Sequence, residues 1–395
     1  MSRAETFTAT TSRGAEPVLA RELRKLGLQR VQEERGAVRF MGPLRDGLYA
    51  CLWSRVASRI LIRLSRFEAS SAEALYAGLQ EIDWSQHLAP DGALWVDFVG
   101  VSKALRNSQF GARLTKDAIV DQLRTPRGTR PRVDREHADV RVHVHLRHAV
   151  ATVSIDLSGQ ALHWRTPNRM VTDAPLKETL AATLLHLCDW PSRARDGAPF
   201  VDPMCGSGTI LLEAAGIARD LAPGLNRPRD RWGFSRWRGH DPATWSTLRA
   251  EARERASAGQ SAPNRIVGSD IDPEAIRVTR NNARRLNIDG ITVRTAPISA
   301  LTPPPGCAPG LLIANPPYGE RIGDRVGELF EALGDRLRWH MLGWSVGVLV
   351  PAGPLSKRIG LRTDRRHILF NGPLECRLLT FDISDQAPRG EKPTR

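Results

Sequence analysis

The sequence predicts an α/β protein in two parts, the second built on a doubly wound, parallel sheet. Three observations predict it. Candidate strands beyond residue 174 are uniformly apolar, as strands buried on both faces must be. Helical segments alternate with them, the pattern of parallel strands joined by crossovers. One strand runs into a Gly-x-Gly turn and the next ends on a carboxylate, which suits a ligand held at the carboxyl edge of such a sheet.

The elements follow in order. Residues 7–10 read as a strand, and 16–26 have helical spacing with Gly27 as the stop. A strand at 37–40, a helix at 44–52 and a strand at 60–64 complete a small α/β unit. Helices at 72–80 and 108–123 continue the pattern, with strands at 94–99, 140–146 and 150–157. The stretch 124–132 carries Arg124, Arg127, Arg130 and Arg132 without a carboxylate, and its Pro and Gly residues keep it irregular. A solvated charge run is the plain reading, and phosphate contact the functional one. Residues 158–174 form a polar connector. Apolar strands then come at 200–201, 266–268, 310–314 and 345–350. The tail from Asp385 is polar and reads as disordered.

Length and charge bound the function. A chain of 395 residues exceeds one compact core. No stretch reaches the roughly 18 to 20 apolar residues of a membrane helix, and Met1–Thr6 lacks a secretory core, so cytoplasm is the expected compartment. The net charge is +14, from 57 Lys and Arg against 43 Asp and Glu, and the basic excess is mostly arginine. Arginine suits phosphate and can stack on bases, although compositional bias alone would raise its count. The five cysteines, Cys51, Cys188, Cys205, Cys307 and Cys376, are odd in number and contain no CxxC pair. Neither a disulfide framework nor a metal site is expected.

Phe200-Val201-Asp202-Pro203-Met204-Cys205-Gly206-Ser207-Gly208-Thr209 is the first chemical landmark. Its glycines let a ligand approach the backbone closely. The pattern is neither GxGxxG, since Leu211 holds the third position, nor a Walker loop. Asp202 would repel a pyrophosphate but welcome a sulfonium with an amino-acid tail, so S-adenosyl-L-methionine is the expected cofactor. Candidate contacts are Asp202, Pro203, Cys205, Gly206, Ser207, Gly208 and Thr209. A second strand ends in Asp270, placed to accept hydrogen bonds from ribose hydroxyls, with Ile271 beside it. Asp272 and Pro273 read as a helix start.

Asn315-Pro316-Pro317-Tyr318, closing the apolar strand before it, is the most specific signal. An exocyclic amine on a base is a poor nucleophile, because its lone pair is delocalised. The Asn315 oxygen and the Pro316 carbonyl can accept its two N–H groups, Pro317 fixes that carbonyl, and Tyr318 offers a face for an extruded base. Catalysis is then mainly positioning, with Asn315 also near the cofactor.

These motifs resemble the class I (Rossmann-like) methyltransferases of the amino-methylating type. With Ala222-Pro223-Gly224-Leu225, Arg231-Trp232-Gly233-Phe234-Ser235 and Gly319-Glu320-Arg321, the chain is similar to the bacterial 23S rRNA guanine-N2 methyltransferases, in particular the N-terminal half of the bifunctional RlmKL type. Asn107-Ser108-Gln109-Phe110-Gly111 and Lys116 to Asp121 resemble that family's THUMP domain. The resemblance implies a ferredoxin-like unit at 1–66, a THUMP RNA-binding domain at 67–160, the methyltransferase domain at 161–384 and a disordered tail at 385–395. It also implies RNA contacts at Asn107, Ser108 and Lys116, and large-subunit rRNA or a pre-ribosomal particle as partner, with no membrane. Only the guanine-N2 activity carries over, because the second methyltransferase domain of bifunctional members has no counterpart here.

Three local features stand apart. Where members often place an acid after the third strand, this chain has Ala296-Pro297-Ile298, and a Gly-Tyr-Arg position reads Thr166-Pro167-Asn168. The tryptophans of the segment 227–245 read equally as local core or as stacking platforms. Two other functions fit parts of the sequence: an adenine-N6 methyltransferase acting on DNA or RNA, and a non-catalytic RNA-binding or ribosome-assembly factor.

Overall fold

The computed structural model describes residues 4–124, 128–165, 170, 176–317 and 325–384. The expectations placed on Arg127, on Tyr318, on residues 166–168 and on the tail lie outside the described residues. The chain divides into two compact units. One combines the residues up to Thr11 with Ala20–Trp164 and Arg227–Ala250, and the other combines Ser12–Leu19, Arg165–Asn226 and everything from Glu251.

The first unit is built on an eight-stranded sheet. Its strands are β1 (Glu5–Thr10), β2 (Gln29–Glu34), β3 (Ala37–Gly42), β4 (Arg59–Glu68), β5 (Ala93–Val99), β6 (Arg132–Val133), β7 (Val140–Arg147) and β8 (Val150–Asp156), in the order β2-β3-β1-β4-β8-β7-β5-β6. Helices α1 (Glu16–Lys25), α2 (Leu44–Trp53), α3 (Ala72–Gln80) and α4 (Ser108–Leu123) intervene along the chain. Antiparallel pairing of β4 with β8, from Leu61 opposite Asp156 to Glu68 opposite Val150, makes one continuous sheet of all eight strands. Alternation decides which face is inside: Val140, Val142, Val144 and Leu146 of β7 are buried while the residues between them point outward. Strand β2 has no such alternation in its sequence, because it is an edge strand exposed on both faces. Arg132 lies in strand β6, paired with β5, rather than in an irregular loop.

The segment 227–250 packs within this unit. Buried Arg227 donates through Nη2 to the carbonyls of Ser158 (2.8 Å), Gln160 (2.7 Å) and Arg231 (3.0 Å). Gly233 packs so closely that a Cβ on it would stand 2.1 Å from the Asp156 carbonyl oxygen and 2.7 Å from the Gly159 nitrogen. Trp232, Trp237 and Trp245 are buried, and Phe234 packs against Trp232 and Trp245 at centroid distances of 5.5 and 4.9 Å. These tryptophans are local core.

The second unit holds a seven-stranded sheet of β9 (Phe200–Asp202), β10 (Ile266–Asp270), β11 (Ile291–Thr295), β12 (Leu311–Ala314), β13 (Ser345–Pro351), β14 (Arg365–Asn371) and β15 (Leu374–Asp382). The order is β11-β10-β9-β12-β13-β15-β14. The five strands from β11 to β13 are parallel, whereas β15 runs antiparallel to both β13 and β14. The sheet is therefore mixed at one edge. A tight turn through Gly372, with φ of 62°, makes β14 and β15 a hairpin.

Helices α5 (Glu178–Leu187), α6 (Trp190–Arg195), α7 (Thr209–Ala218) and α9 (Pro273–Arg285) contribute to one core layer, and α10 (Arg325–His340) to the other. Between α7 and β10 runs α8 (Pro242–Gly259), and α11 (Leu355–Arg358) follows β13. Successive residues of one strand enter opposite layers: Phe200 joins the first and Val201 the second, as do Ile313 and Leu312. Full burial of a leucine such as Leu312 stabilises by about 1.5–3 kcal/mol. This two-sided burial is why the strands read as unbroken apolar runs. Strand order reverses between β9 and β12, and the crevice outside the carboxyl ends of those strands is where such sheets bind ligands.

Candidate active site

A cavity of about 390 Å³ lies at that crevice. Three stretches form most of its wall: Asp202 to Ile210 after β9, Asp270 to Asp272 after β10, and Asn315 with Pro317 after β12. Of the candidate cofactor residues, Asp202, Pro203, Cys205, Gly206, Ser207, Thr209, Asp270, Ile271 and Asn315 all line it. Gly208 stands behind the wall as the N-cap of α7, with φ of 84°. A Cβ there would come within 2.8 Å of the Thr279 side chain. Pro316 is buried, and Tyr318 lies outside the described residues.

The glycine turn is held from two sides. Asp270 accepts a hydrogen bond from the Gly206 N–H through Oδ2 (2.8 Å) and one from the Asp272 N–H through Oδ1 (3.0 Å). One carboxylate thus pins the loop while keeping lone pairs for a ligand. From α9, the Thr279 hydroxyl donates to the Gly206 carbonyl (2.8 Å) and the Asn282 amide to the Ser207 carbonyl (3.0 Å). Asn282 also bonds Met170 in both directions, donating to its carbonyl (2.8 Å) and accepting from its N–H (3.1 Å). Sequence reading missed Thr279 and Asn282. The available signal was their spacing of three residues on the buried face of α9, where polar side chains need partners.

Asp202 is buried, and among the described residues its Oδ1 accepts a long bond, 3.4 Å, from the Met204 N–H. Burial pushes its carboxyl up to about 8, and the nearby Asp270 carboxylate adds to the rise. Burial likewise raises the Cys205 thiol, making it a poor nucleophile. The Oδ1 of Asn315 is buried without a hydrogen-bond partner among the described residues. An orphaned acceptor of this kind costs about 1–3 kcal/mol unless something donates to it.

At the far wall, Ala296, Pro297 and Ile298 line the cavity, and the Ala296 N–H bonds the Asp270 carbonyl (2.8 Å). No acid stands there. With Ile271, 73% exposed, these residues offer an apolar slot. The glycine turn, the Asp270 carboxylate and this apolar slot together line one cavity whose chemistry and size suit S-adenosyl-L-methionine.

The candidate RNA residues all belong to the other unit. Asn107 is the N-cap of α4, accepting from the N–H groups of Gln109 (2.8 Å) and Phe110 (3.2 Å), and Ser108 opens that helix. Lys116 is paired with Asp117. Arg124 is not free of carboxylates, since Asp121 lies 3.6 Å away one helical turn earlier. Arg130 and Arg132 are exposed, and Arg127 lies outside the described residues. Among the described residues no helix is long and apolar enough to cross a membrane, and no cluster of His, Cys, Asp or Glu could hold a metal ion.

Residues 165–380 match the family model described as RMKL-like, methyltransferase domain. Residues 6–61 match the RlmL ferredoxin-like domain, and 69–156 the THUMP domain. A ribosomal RNA large subunit methyltransferase K/L of Ectopseudomonas mendocina is 44% identical over 401 residues, covering 100% of this chain and 55% of that protein. The chain thus spans about half the length of the curated relatives it matches. Among solved structures, SMU.472, in complex with SAH, is 32% identical with a TM-score of 0.84, covering 97% of this chain and 99% of that one. A protein of Listeria monocytogenes titled a predicted N6-adenine-specific DNA methylase is 30% identical, with a TM-score of 0.83 and 96% of each chain covered.

Proposed function

The chain belongs to the RMKL-like methyltransferase family, and on that footing we propose that it methylates the exocyclic N2 of a guanine in large-subunit rRNA, using S-adenosyl-L-methionine. The observation that carries this reading is the buried Oδ1 of Asn315, without a hydrogen-bond partner among the described residues and set in the same cavity as Asp202, the glycine turn and Asp270. An acceptor left open at that place suits the N–H of an incoming amine.

The bound cofactor would supply an electrophilic methyl group on a sulfonium. Asp270 would take the ribose hydroxyls with the lone pairs that Gly206 and Asp272 leave open. Ile271, Pro297 and Ile298 would flank the adenine, replacing an acid with apolar contact. Asp202 and the turn through Ser207 would face the amino-acid end. Asn315 Oδ1 and the Pro316 carbonyl would accept the two N–H groups of the target amine, aiming its lone pair along the line of transfer. The target nitrogen would take up the methyl group as the methyl's bond to the sulfonium sulfur breaks, leaving a neutral thioether, and would release one proton to water. No strong base is needed, because the amine becomes acidic once alkylated. Tyr318, two residues beyond Pro316, would stack on the extruded base.

THUMP and ferredoxin-like matches ahead of the catalytic half support RNA as the substrate. The Listeria protein's title favours adenine in DNA as the competing substrate. Labelled methyl incorporation into unmodified 23S rRNA and into duplex DNA, followed by nucleoside analysis, separates them. N2-methylguanine in the RNA is the expected product, and N6-methyladenine in the DNA would overturn the proposal.

A further inference from the structure

The first unit contains a second cavity, of about 520 Å³, lined by Arg135, Glu136, His137, Arg141, Gln160 and Arg231. None of the six is apolar. They come from the loop before β7, from β7 itself, from the segment after β8 and from the 227–250 segment, so no contiguous motif announces them.

The walls are held in place. Asp134 accepts from the N–H groups of Glu136 and His137, each at 2.8 Å, and faces the His137 ring at 3.6 Å. Arg141 donates to the Arg135 carbonyl, and the Arg135 guanidinium lies over the Trp95 ring, 5.7 Å from its centroid. Arg227 clamps the carbonyls of both Gln160 and Arg231. Asp139 is engaged by Arg236 at 3.0 Å. Three guanidiniums therefore line the cleft against one carboxylate, that of Glu136.

We propose that this cleft grips the sugar-phosphate backbone of the RNA substrate. The inference rests on the rRNA reading above and deepens it. Guanidinium forks match phosphate oxygens, and Gln160 adds an amide donor. Glu136 favours RNA over the other polyanions. A carboxylate among arginines repels a second anion but accepts from a ribose 2′-hydroxyl, which DNA and acidic peptides lack. The 227–250 segment, continuous in sequence with the catalytic half, thereby becomes part of the RNA grip.

The test measures binding of an unmodified 23S rRNA fragment, and of DNA of the same sequence, across a salt series. Variants are Arg135→Gln, Arg231→Gln and Glu136→Gln, with Arg253→Gln, exposed on α8, as a charge-matched control. Arg135→Gln and Arg231→Gln are each expected to weaken RNA binding about tenfold near 0.1 M salt and to lower the salt slope by about 0.7–1, with cofactor affinity unchanged. Glu136→Gln is expected to narrow the preference for RNA over DNA. Slopes indistinguishable from Arg253→Gln, in a wild type that methylates rRNA, would remove the cleft and leave the activity standing. A wild type that neither binds nor methylates rRNA would sink the functional reading and the cleft together.

Discussion

Two cavities of this protein, one mostly apolar and one polar, are assembled in opposite ways. The cleft at the end of the parallel sheet is built mostly from short stretches that directly follow β9, β10, β11 and β12. The cleft in the first unit, whose sheet is mixed with β5 parallel to both β6 and β7, joins the run Arg135 to His137 with Arg141, Gln160 and Arg231. Parallel strands all deliver their carboxyl ends to one edge, so a reactive site needs only a few residues after each strand. The largely antiparallel strands of the first unit offer no such common edge, and its cleft is gathered from four separate stretches of the chain. The difference predicts contrasting mutational behaviour: sharp and local in one cleft, graded and electrostatic in the other.

Asn315→Ala gives the largest expected effect. Turnover should fall by roughly a hundredfold or more with cofactor affinity little changed, because the residue acts through positioning. Single-turnover assays at saturating cofactor check it, and near-normal turnover would end the assigned role. Asp270→Ala comes next. It removes the acceptor of the Gly206 amide and the proposed acceptor for the ribose, so cofactor binding should weaken by about 1.5–3 kcal/mol, measurable by calorimetry. An unchanged affinity would mean that Thr279 and Asn282 suffice to hold the turn.

Asp202 sharpens the comparison through pH. Its carboxyl, pushed up to about 8 chiefly by burial, is mostly protonated at neutral pH in the free protein. A sulfonium favours the charged form, so affinity for S-adenosyl-L-methionine relative to SAH should rise severalfold between pH 7 and 9. Asp202→Asn should flatten that ratio; a ratio already flat in the wild type would refute the contact. The stability sign runs the other way. With the folded value raised from 3.8 to about 8, Asp202's contribution is full below about pH 4 and is lost as pH climbs through 8. Relative to Asp202→Asn, the ligand-free wild type should therefore lose thermal stability over that window.

The smallest effect belongs to the exposed arginines of the other unit. Arg124, partly neutralised by Asp121, should change the salt dependence of RNA binding less than Arg130 or Arg132 does. Equal slopes for all three variants would show that the surface pair has no influence.

What could be read beforehand follows the same division. The walls at 202–209, 270–271 and 315–317 are legible because each motif is contiguous and its residue types are unusual at strand ends. Thr279 and Asn282 are not, since a buried polar pair on a helix looks like any imperfect amphipathic face until its partners are known. Strand β2 escapes for want of a buried face. The β14–β15 hairpin is invisible to a reading based on parallel crossovers, because apolar runs do not encode strand direction. The arginine stretch reads as uncompensated because Asp121 lies in the preceding helix rather than within it.

Arg227, clamped onto Ser158 and Gln160, has a consequence for how the polypeptide matures on the ribosome. The first unit is not complete at Trp164; its last piece ends at Ala250, after β9 and α7 of the other unit have already been made. At about 5–20 residues per second the nascent chain waits roughly 4 to 17 seconds for that piece. Until then the apolar surface destined for Trp232, Phe234 and Trp245 stays open, and a fragment ending at the connector would never close it.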